Sequence, residues 1–304
     1  MRSLRGFYHE PFDLVRNIVG AIRHSRSARR REAVSIRLQD RDRWLLEGLA
    51  KMRFLTTGQL ARLYFKGSRW AANKRLRKLL DAGLVRVWVR GLAQENIYSL
   101  DRAGTKVLDG MSEDFGPLAI PRGLDGNLDH LLGINQIRVT LAVRLPEAGG
   151  EISWWRSDWE LRSHGPEKVI PDALFAIRWP GEEEEVYALE VDNQSRCSGA
   201  FLKKILKYGS VRYQARGLYG VSDFVTLVVG RDPEWVERYR QSLGHTRLGS
   251  RIWFTELAEV EAKGALGPIW KPADREESYS LRDLIFRPYG KEGIVPKTPT
   301  FRDG

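Results

Sequence analysis

The sequence is poor in cysteine and in long apolar runs, and each absence excludes a class of protein. Cys197 is its one cysteine, which excludes an internal disulfide framework and a zinc site built from several cysteines. No uncharged apolar stretch reaches the ~18 residues of a membrane helix. Residues 1–32 are basic and lack the apolar core of a signal peptide. We therefore expect a cytoplasmic protein with no membrane partner.

Aromatic and positively charged residues, by contrast, are plentiful. Ten Trp, eleven Phe and a hydrophobic content of 42% suffice for packed cores and argue against disorder. Residues 1–110 carry 24 Lys and Arg against 10 Asp and Glu, a net charge of +14. Residues 111–304 carry 26 against 29, a net charge of −3. A basic module joined to a nearly neutral one predicts binding to a polyanion, and a merely solvated surface is the alternative.

The distribution of helix, strand and turn patterns divides the chain into five segments. The length suggests two domains, which we expect at residues 37–110 and 129–260. Between them, Gly, Pro and polar residues indicate a linker at 111–128. The remaining segments are a basic N-terminal arm at 1–36 and a Pro/Gly-rich C-terminal tail at 261–304.

The first domain has the pattern of a small DNA-binding module. Residues 38–108 predict three helices, a β-hairpin and a short fourth helix. The third helix spans Arg69 to Ala82, and strands near residues 84–90 and 97–100 follow it. The segment LRKLLDAGLVRVWVR, followed by NIYSL, resembles the third helix and wing of the winged helix-turn-helix family.

This resemblance implies a specific way of holding double-stranded DNA. The third helix would enter the major groove, and the wing would contact the flanking backbone. Hydroxyls at helix starts would suit phosphate. Because winged helices also serve as protein–protein modules, a purely protein-binding role is the alternative. The expected DNA-binding residues are Thr57, Ser68, Arg69, Asn73, Lys74, Arg77, Lys78, Arg86 and Arg90.

The second domain predicts the order α-β-β-β-α-β-α-β, with its first strand from Ile152 to Leu161. Its segments IPDALF and ALEVDNQ resemble the PD-(D/E)xK nuclease superfamily, which implies a restriction-endonuclease-like α/β domain. The fold class expected for the whole chain is therefore α+β or α/β. The resemblance implies that Asp172 and Glu190 hold Mg²⁺ or Mn²⁺, as hard oxygen ligands do. Asp192 shares the strand parity of Glu190, so we expect it as a third ligand.

The lysine of the superfamily is missing from its usual position, two residues after Glu190, where Asp192 stands. Some members carry this lysine on the following helix, where Lys203, Lys204 and Lys207 lie. Of these, Lys204 shares a helix face with Tyr208, one turn further on, and this pair resembles the Gln-xxx-Tyr pair of RecB-like nucleases. Resemblance to RecB-like nucleases implies a role for His130. The expected catalytic residues are Asp172, Glu190, Asp192, Lys204, Tyr208 and His130.

A narrower resemblance covers most of the chain. A winged helix followed by D-H…N, PDALF, ALEVDNQS and KxxxY is similar to the replication-relaxation family of plasmids and mobile elements. It implies a DNA-binding protein with a metal-dependent endonuclease or nickase domain that acts in replication, relaxation or mobilisation. Expected partners are double-stranded DNA, other replication or mobilisation proteins and a second copy of the chain. The alternative is a non-catalytic accessory factor or transcriptional repressor with a degenerate nuclease fold.

Overall fold

The computed structural model describes residues 36–91, 93–110, 121, 123, 127–164, 169–192, 199–212, 217–246 and 248–282. The chain divides into two compact units, with the boundary between Asn135 and Gln136. We call the described residues before and after this boundary the N-terminal and C-terminal units. The sequence predicts a linker at 111–128, and the boundary after Asn135 lies beyond it along the chain. Nearly all of the predicted arm and most of the predicted linker lie outside the described residues.

The N-terminal unit contains the predicted three helices, hairpin and short helix, together with one additional short strand. Its three strands form an antiparallel sheet in the order β1-β3-β2. In chain order the elements are α1 (Asp40–Met52), β1 (Leu55–Thr56), α2 (Thr57–Tyr64), α3 (Arg69–Asp81), β2 (Val85–Trp88), β3 (Ile97–Leu100) and α4 (Arg102–Asp109).

A cap, a buried stripe and a terminating glycine define α3. The hydroxyl of Ser68 accepts a backbone N–H of the first turn at 3.3 Å, which satisfies a donor that the helix leaves open. Ala72, Leu76 and Leu79 recur at helical spacing and are fully buried. Gly83 follows the helix with φ +69°, a conformation that glycine adopts at low cost. The opposite face of α3 is consequently left to solvent.

A buried ion pair fixes α3 against α1. Arg75 donates Nε to Oδ1 of Asp42 at 2.7 Å, and its Nη2 to Oδ2. Nη2 also donates to the carbonyl of Arg37 at 2.9 Å. The side chain of Asp42 is 0% exposed, so removing either partner would leave an unpaired buried charge. Arg75 therefore serves the fold, unlike its exposed neighbours.

The next helix, α5 (Leu128–Glu147), crosses the boundary between the units. Leu128 and Leu132, near its start, pack against Phe54 in a small buried cluster. The side-chain amide of Asn135 donates to the carbonyls of Met52 and Phe54 at 2.9 and 2.7 Å. These contacts assign the first part of α5 to the N-terminal unit and explain why the boundary falls after Asn135.

The C-terminal unit is built on a six-stranded mixed sheet in the order β4-β5-β6-β7-β8-β9. Neighbouring strands from β4 to β6 are antiparallel, those from β6 to β8 are parallel, and β9 returns antiparallel. The protein is thus a mixed α and β structure. The elements are β4 (Glu151–Ser157), α6 (Asp158–Ser163), β5 (Ala173–Arg178), β6 (Glu185–Asp192), α7 (Gly199–Arg212), β7 (Val225–Gly230), α8 (Pro233–Gly244), β8 (Ile252–Glu256), α9 (Leu257–Lys263) and β9 (Lys271–Pro272).

The main core of this unit lies between the sheet and helices that include α7. Every residue of β7 is buried, as expected of a parallel strand covered on both faces. Ile205 and Tyr208 of α7 join the same buried cluster as Ala188 of β6. Because alternate residues of a strand share a face, Glu190 points to the side of β6 that α7 covers. No helix in the described part of the chain is long and apolar enough to cross a membrane.

Two segments differ from the sequence prediction. The strand predicted from Ile152 to Leu161 ends at Ser157, because the backbone N–H of Ser157 donates to Glu160 at 2.7 Å and starts α6 as a capping box. Residues 261–282, expected in the tail, pack on the C-terminal unit. Trp270 is fully buried there, and β9 pairs with β8.

Arg240 of α8 holds part of this C-terminal segment. It is 2% exposed and donates to the carbonyl of Arg275 at 2.7 Å. It also pairs with Glu237 at 2.8 Å and with Glu276 at 2.6 Å. These hydrogen bonds and the buried Trp270 give the segment a structural role that its Gly, Pro and charged composition does not indicate.

Candidate functional site

Exposed side chains cover the face of α3 opposite its buried stripe. The predicted DNA-binding residues Arg69, Asn73, Lys74, Arg77 and Lys78 are all exposed. Four of the five are cationic, and the fifth carries an amide that both donates and accepts hydrogen bonds. The arrangement places four positive charges and one hydrogen-bonding amide on one exposed helix face.

One of these cations, Arg69, already has an anionic partner. Its guanidinium pairs with Glu95, in the turn between β2 and β3. Glu95 also accepts the backbone N–H of Gly58 in α2 at 3.0 Å. A single carboxylate therefore contacts α2, α3 and the hairpin turn together. The side chain of Arg69 remains 65% exposed, so the guanidinium is still accessible to a ligand.

The two predicted hairpin cations also form ion pairs. Arg86 contacts Asp101 at 3.3 Å, and Arg90 contacts Asp129 at 2.8 Å. Their side chains are 39% and 25% exposed. Ion pairs at the surface contribute only about 0–1 kcal/mol, so either arginine can exchange its carboxylate for another anion at little cost.

Thr57 and Ser68, the two hydroxyl residues predicted to bind DNA, differ in their exposure to solvent. Thr57 is 7% exposed, and its hydroxyl donates to the carbonyl of Asn96 at 3.3 Å. Its side chain therefore faces the interior, and the cap of α2 is Thr56, whose hydroxyl accepts the N–H of Gln59 at 3.2 Å. Ser68 is exposed at the start of α3, in keeping with its predicted position.

In the C-terminal unit, Asp172 and Glu190 lie beside each other on adjacent strands. Asp172 comes immediately before β5, and its backbone N–H donates to the carbonyl of Leu189 at 3.0 Å. Its carboxylate Oδ2 accepts the N–H of Val191 at 2.8 Å. Backbone hydrogen bonds to β6 thus fix Asp172 next to Glu190, as the hairpin spacing predicts.

Two side chains of α7 complete this acidic cluster. The ammonium Nζ of Lys204 lies 2.6 Å from Oε2 of Glu190 and 3.9 Å from Oδ1 of Asp172. The hydroxyl of Tyr208 donates to Oε1 of Glu190. Lys204 and Tyr208 are four residues apart and share one helix face, which is why both reach the same carboxylate.

Burial dominates the electrostatics of the cluster. Glu190 is 1% exposed, and its burial, together with the charge of Asp172, raises its pKa to about 8. Lys204 and Tyr208 act in the opposite direction by stabilising the carboxylate. Burial and the neighbouring Glu190 also raise the pKa of Tyr208 well above its usual value. The cluster therefore contains one carboxyl group that loses its proton only as the pH rises through about 8.

Hydrogen bonds already engage most of the carboxyl oxygens that are predicted to hold a metal ion. Both oxygens of Glu190 accept hydrogen bonds, and one oxygen of Asp172 accepts a backbone N–H. Asp192 is buried on the same strand. However, the described residues contain no group of three or more His, Cys, Asp or Glu side chains that could hold a metal. The ammonium of Lys204 lies within 4 Å of both carboxyl groups.

His130, the remaining predicted catalytic residue, belongs to the other compact unit of the chain. It is on the part of α5 that belongs to the N-terminal unit. All four members of the acidic cluster belong to the C-terminal unit. Within the described part of the C-terminal unit, ion pairs and hydrogen bonds join Asp172, Glu190, Lys204 and Tyr208 into one cluster.

Sequence reasoning missed two residues of the α3 surface. Glu95 stands in a polar turn, where nothing in the sequence indicates its pairing with Arg69. Trp70 is 72% exposed, and Nζ of Lys74 lies 4.9 Å from its ring centroid. The exposure of Trp70 was predictable, because this residue lies outside the apolar stripe that contains Ala72 and Leu76.

Comparison with protein families adds an assignment to this geometry. The model of a family described as replication-relaxation matches residues 46–223, more than half of the chain. The chain belongs to the replication-relaxation family. Comparison with curated proteins and with solved structures gives no match.

The replication-relaxation match includes both surfaces described above. It begins within α1, contains α3 and the hairpin, and ends after the four residues of the acidic cluster. Strands β7 to β9, which complete the sheet, lie beyond it. Membership of this family indicates a role in the replication or relaxation of a plasmid or other mobile element.

Proposed function

We propose that this replication-relaxation protein binds duplex DNA through a winged helix made of α1, α2, α3 and the β2–β3 hairpin. The observation that carries the proposal is the exposed face of α3, with Asn73, Lys74, Arg77 and Lys78 opposite a fully buried stripe. An α-helix fits the major groove, where Lys and Arg reach phosphates and guanines and Asn reaches adenine. The hairpin then adds Arg86 and Arg90 beside the groove.

The charge distribution supports the same ligand. Residues 1–110 carry a net charge of +14, so the basic surface belongs to a basic segment of the chain. Binding of each phosphate releases counterions from DNA, which makes affinity fall with salt concentration. A protein–protein surface of ordinary composition would not produce that steep dependence.

The test is a titration of a duplex of about 30 base pairs between 50 and 200 mM salt, the range over which phosphate-binding proteins lose affinity steeply. We expect a linear decrease of log affinity with log salt concentration. Arg77→Ala and Lys78→Ala should each reduce the slope by about 0.9 if each side chain neutralises one phosphate. Lys263→Ala, on an exposed lysine of the C-terminal unit, is the matched control. A flat dependence in the wild type would refute DNA binding.

A second candidate function is DNA strand cleavage at the acidic cluster. The observation that favours it is the position of Lys204, close to both Glu190 and Asp172. Asp, Glu and Lys are the residue types of the nuclease superfamily that this segment resembles. Against it stand the hydrogen bonds that already occupy both oxygens of Glu190. A non-catalytic accessory factor or repressor is the corresponding alternative for the C-terminal unit.

Supercoiled plasmid distinguishes these two roles. Wild type, Glu190→Gln and the exposed control Glu234→Gln are each incubated with the plasmid in Mg²⁺ or Mn²⁺. Nicking by wild type and by the control, but not by Glu190→Gln, would establish cleavage at the cluster. Absence of nicking, with DNA binding intact in all three proteins, would refute cleavage and leave the unit a non-catalytic role.

A further inference from the structure

An aromatic side chain stands at the start of the basic face of α3. Trp70 is 72% exposed, although burying an indole is strongly favourable. It occupies the first turn of the helix and is followed at helical spacing by Asn73, Lys74 and Arg77. A single apolar side chain on a protein surface is ordinary. This one lies among exposed donors and cations on the face proposed to bind DNA, so its apolar ring would enter the groove together with them.

The major groove offers one apolar feature at its base edges, the 5-methyl group of thymine. In a helix-turn-helix protein, the residues near the start of the recognition helix contact base edges. Trp70 lies at that end of α3. The indole therefore fits a thymine methyl better than it fits the polar edges of G·C pairs.

Asn73 supplies the complementary half of this readout. Its amide is exposed and can form two hydrogen bonds with N6 and N7 of adenine. Side chains three residues apart on a helix are separated by about 5–6 Å at Cβ, whereas base pairs are stacked about 3.4 Å apart. Trp70 and Asn73 can thus contact the same base pair or two successive ones.

Lys74 strengthens the arrangement. Its ammonium lies 4.9 Å from the centroid of the Trp70 ring, a cation–π contact that restricts the orientation of the indole. Lys74 is itself exposed on this helix face, so its ammonium can also contact a phosphate. The positive charge of Lys74 and Arg77 beside the indole favours DNA over an apolar protein partner as its occupant.

We propose that α3 selects A·T base pairs, with Asn73 hydrogen-bonding adenine and Trp70 packing on the methyl group of thymine. This inference rests on the proposed DNA binding and adds the base preference of that surface. Burial of one methyl group corresponds to about a fourfold gain in affinity.

The test compares the full chain on three synthetic duplexes, poly(dA-dT), poly(dA-dU) and poly(dG-dC), at one salt concentration. Uracil lacks the methyl group and keeps the other base edges. We expect wild type to bind poly(dA-dT) about fourfold or more tightly than poly(dA-dU), and poly(dG-dC) more weakly than either. Trp70→Ala should bring the thymine-to-uracil ratio to one, and Trp70→Phe should restore part of it. Asn73→Ala should reduce the preference for A·T over G·C while keeping the thymine-to-uracil ratio.

The outcomes separate this inference from the function on which it rests. Absence of binding to all three duplexes at low salt would overturn the proposed DNA binding itself. Equal binding of poly(dA-dT) and poly(dA-dU) by the wild type would overturn the inference alone. So would a ratio that persists in Trp70→Ala, because groove shape and not the indole would then produce it. Circular dichroism of the Trp70 and Asn73 variants checks that these surface substitutions leave the fold unchanged.

Discussion

The buried carboxyl of Glu190 makes a sharp prediction about stability and pH. In the folded chain its pKa is raised to about 8, chiefly by burial and then by the charge of Asp172. In the unfolded chain it returns to its ordinary value of 4.5. Between these two pH values the folded protein holds a proton at Glu190 that the unfolded chain has released. Raising the pH through this interval therefore favours unfolding.

The magnitude follows from proton linkage. Each pH unit in the interval shifts the unfolding equilibrium by about a factor of ten at this single site. Across the full interval, from the unfolded to the folded pKa, this amounts to about 5 kcal/mol. The stabilisation is complete below pH 4.5 and is lost as the pH rises through about 8. Glu190→Gln cannot titrate, so its unfolding free energy lacks this component.

The assay is chemical denaturation of the full chain at several pH values from 5 to 8.5, with the wild type and Glu190→Gln measured in parallel. We expect the difference in unfolding free energy, wild type minus variant, to fall steadily by several kcal/mol over this range. Glu234→Gln, an exposed carboxyl on α8, should run parallel to the wild type. Lys204→Met removes a group that lowers the pKa of Glu190, so its decline should continue to higher pH.

A constant difference between the wild type and Glu190→Gln would refute the reasoning. It would mean that Glu190 is ionised in the folded chain throughout this pH range. The ion pair with Lys204 would then outweigh the cost of burial, and the carboxylate would be available to a cation at neutral pH.

Three further predictions concern stability. Arg75→Ala should destabilise the N-terminal unit by about 3–5 kcal/mol, because it leaves the buried Asp42 unpaired; thermal unfolding measures the loss. Gly104→Ala should cost about 1–3 kcal/mol by overpacking, because its new Cβ would lie 2.2 Å from the carbonyl oxygen of Leu84; denaturant unfolding checks this. Arg240→Ala should release the segment around residues 273–276 that it holds, which faster proteolytic cleavage there would reveal.

Each of these variants has a matched control on the same element or beside it. Arg77→Ala removes an exposed arginine of α3 and should leave the melting temperature nearly unchanged. Gly110→Ala, after α4, meets its nearest atom at 3.5 Å and should be tolerated. Arg238→Ala removes an exposed arginine of α8 and should not change the proteolytic pattern. If a control variant changed stability or proteolysis as much as the variant it is paired with, the proposed contact would not be the cause of that change.

The order of helices and strands was predictable from the sequence because it depends on local periodicity and caps. The stripe of α3 predicts which of its residues are exposed, and spacing alone placed Lys204 and Tyr208 on one face of α7. The approach of both to Glu190 was implied by family resemblance. The pairing of strands β5 and β6 then brings Asp172 within reach.

What the sequence did not indicate depends on contacts between distant residues. Nothing local shows that the hydroxyl of Thr57 donates to the carbonyl of Asn96, or that Glu95 pairs with Arg69. Residues 261–282 are held by strand β8 and by the guanidinium of Arg240. Both lie outside this Gly- and Pro-containing segment. The prediction of a tail rested on the composition of this segment alone, which carries no information on its contacts with the rest of the chain.

The carboxylate of Glu95 has a consequence for the proposed binding to DNA. In the free protein it holds Arg69 of α3 and the N–H of Gly58 in α2, so this cation is engaged before any DNA arrives. If the proposed phosphate bound the same edge of the Arg69 guanidinium, it would compete with Glu95, and the contact would become an exchange of one anion for another. A displaced Glu95 would also lose its hydrogen bond with Gly58, so DNA binding and the anchoring of the hairpin turn would be coupled through one side chain.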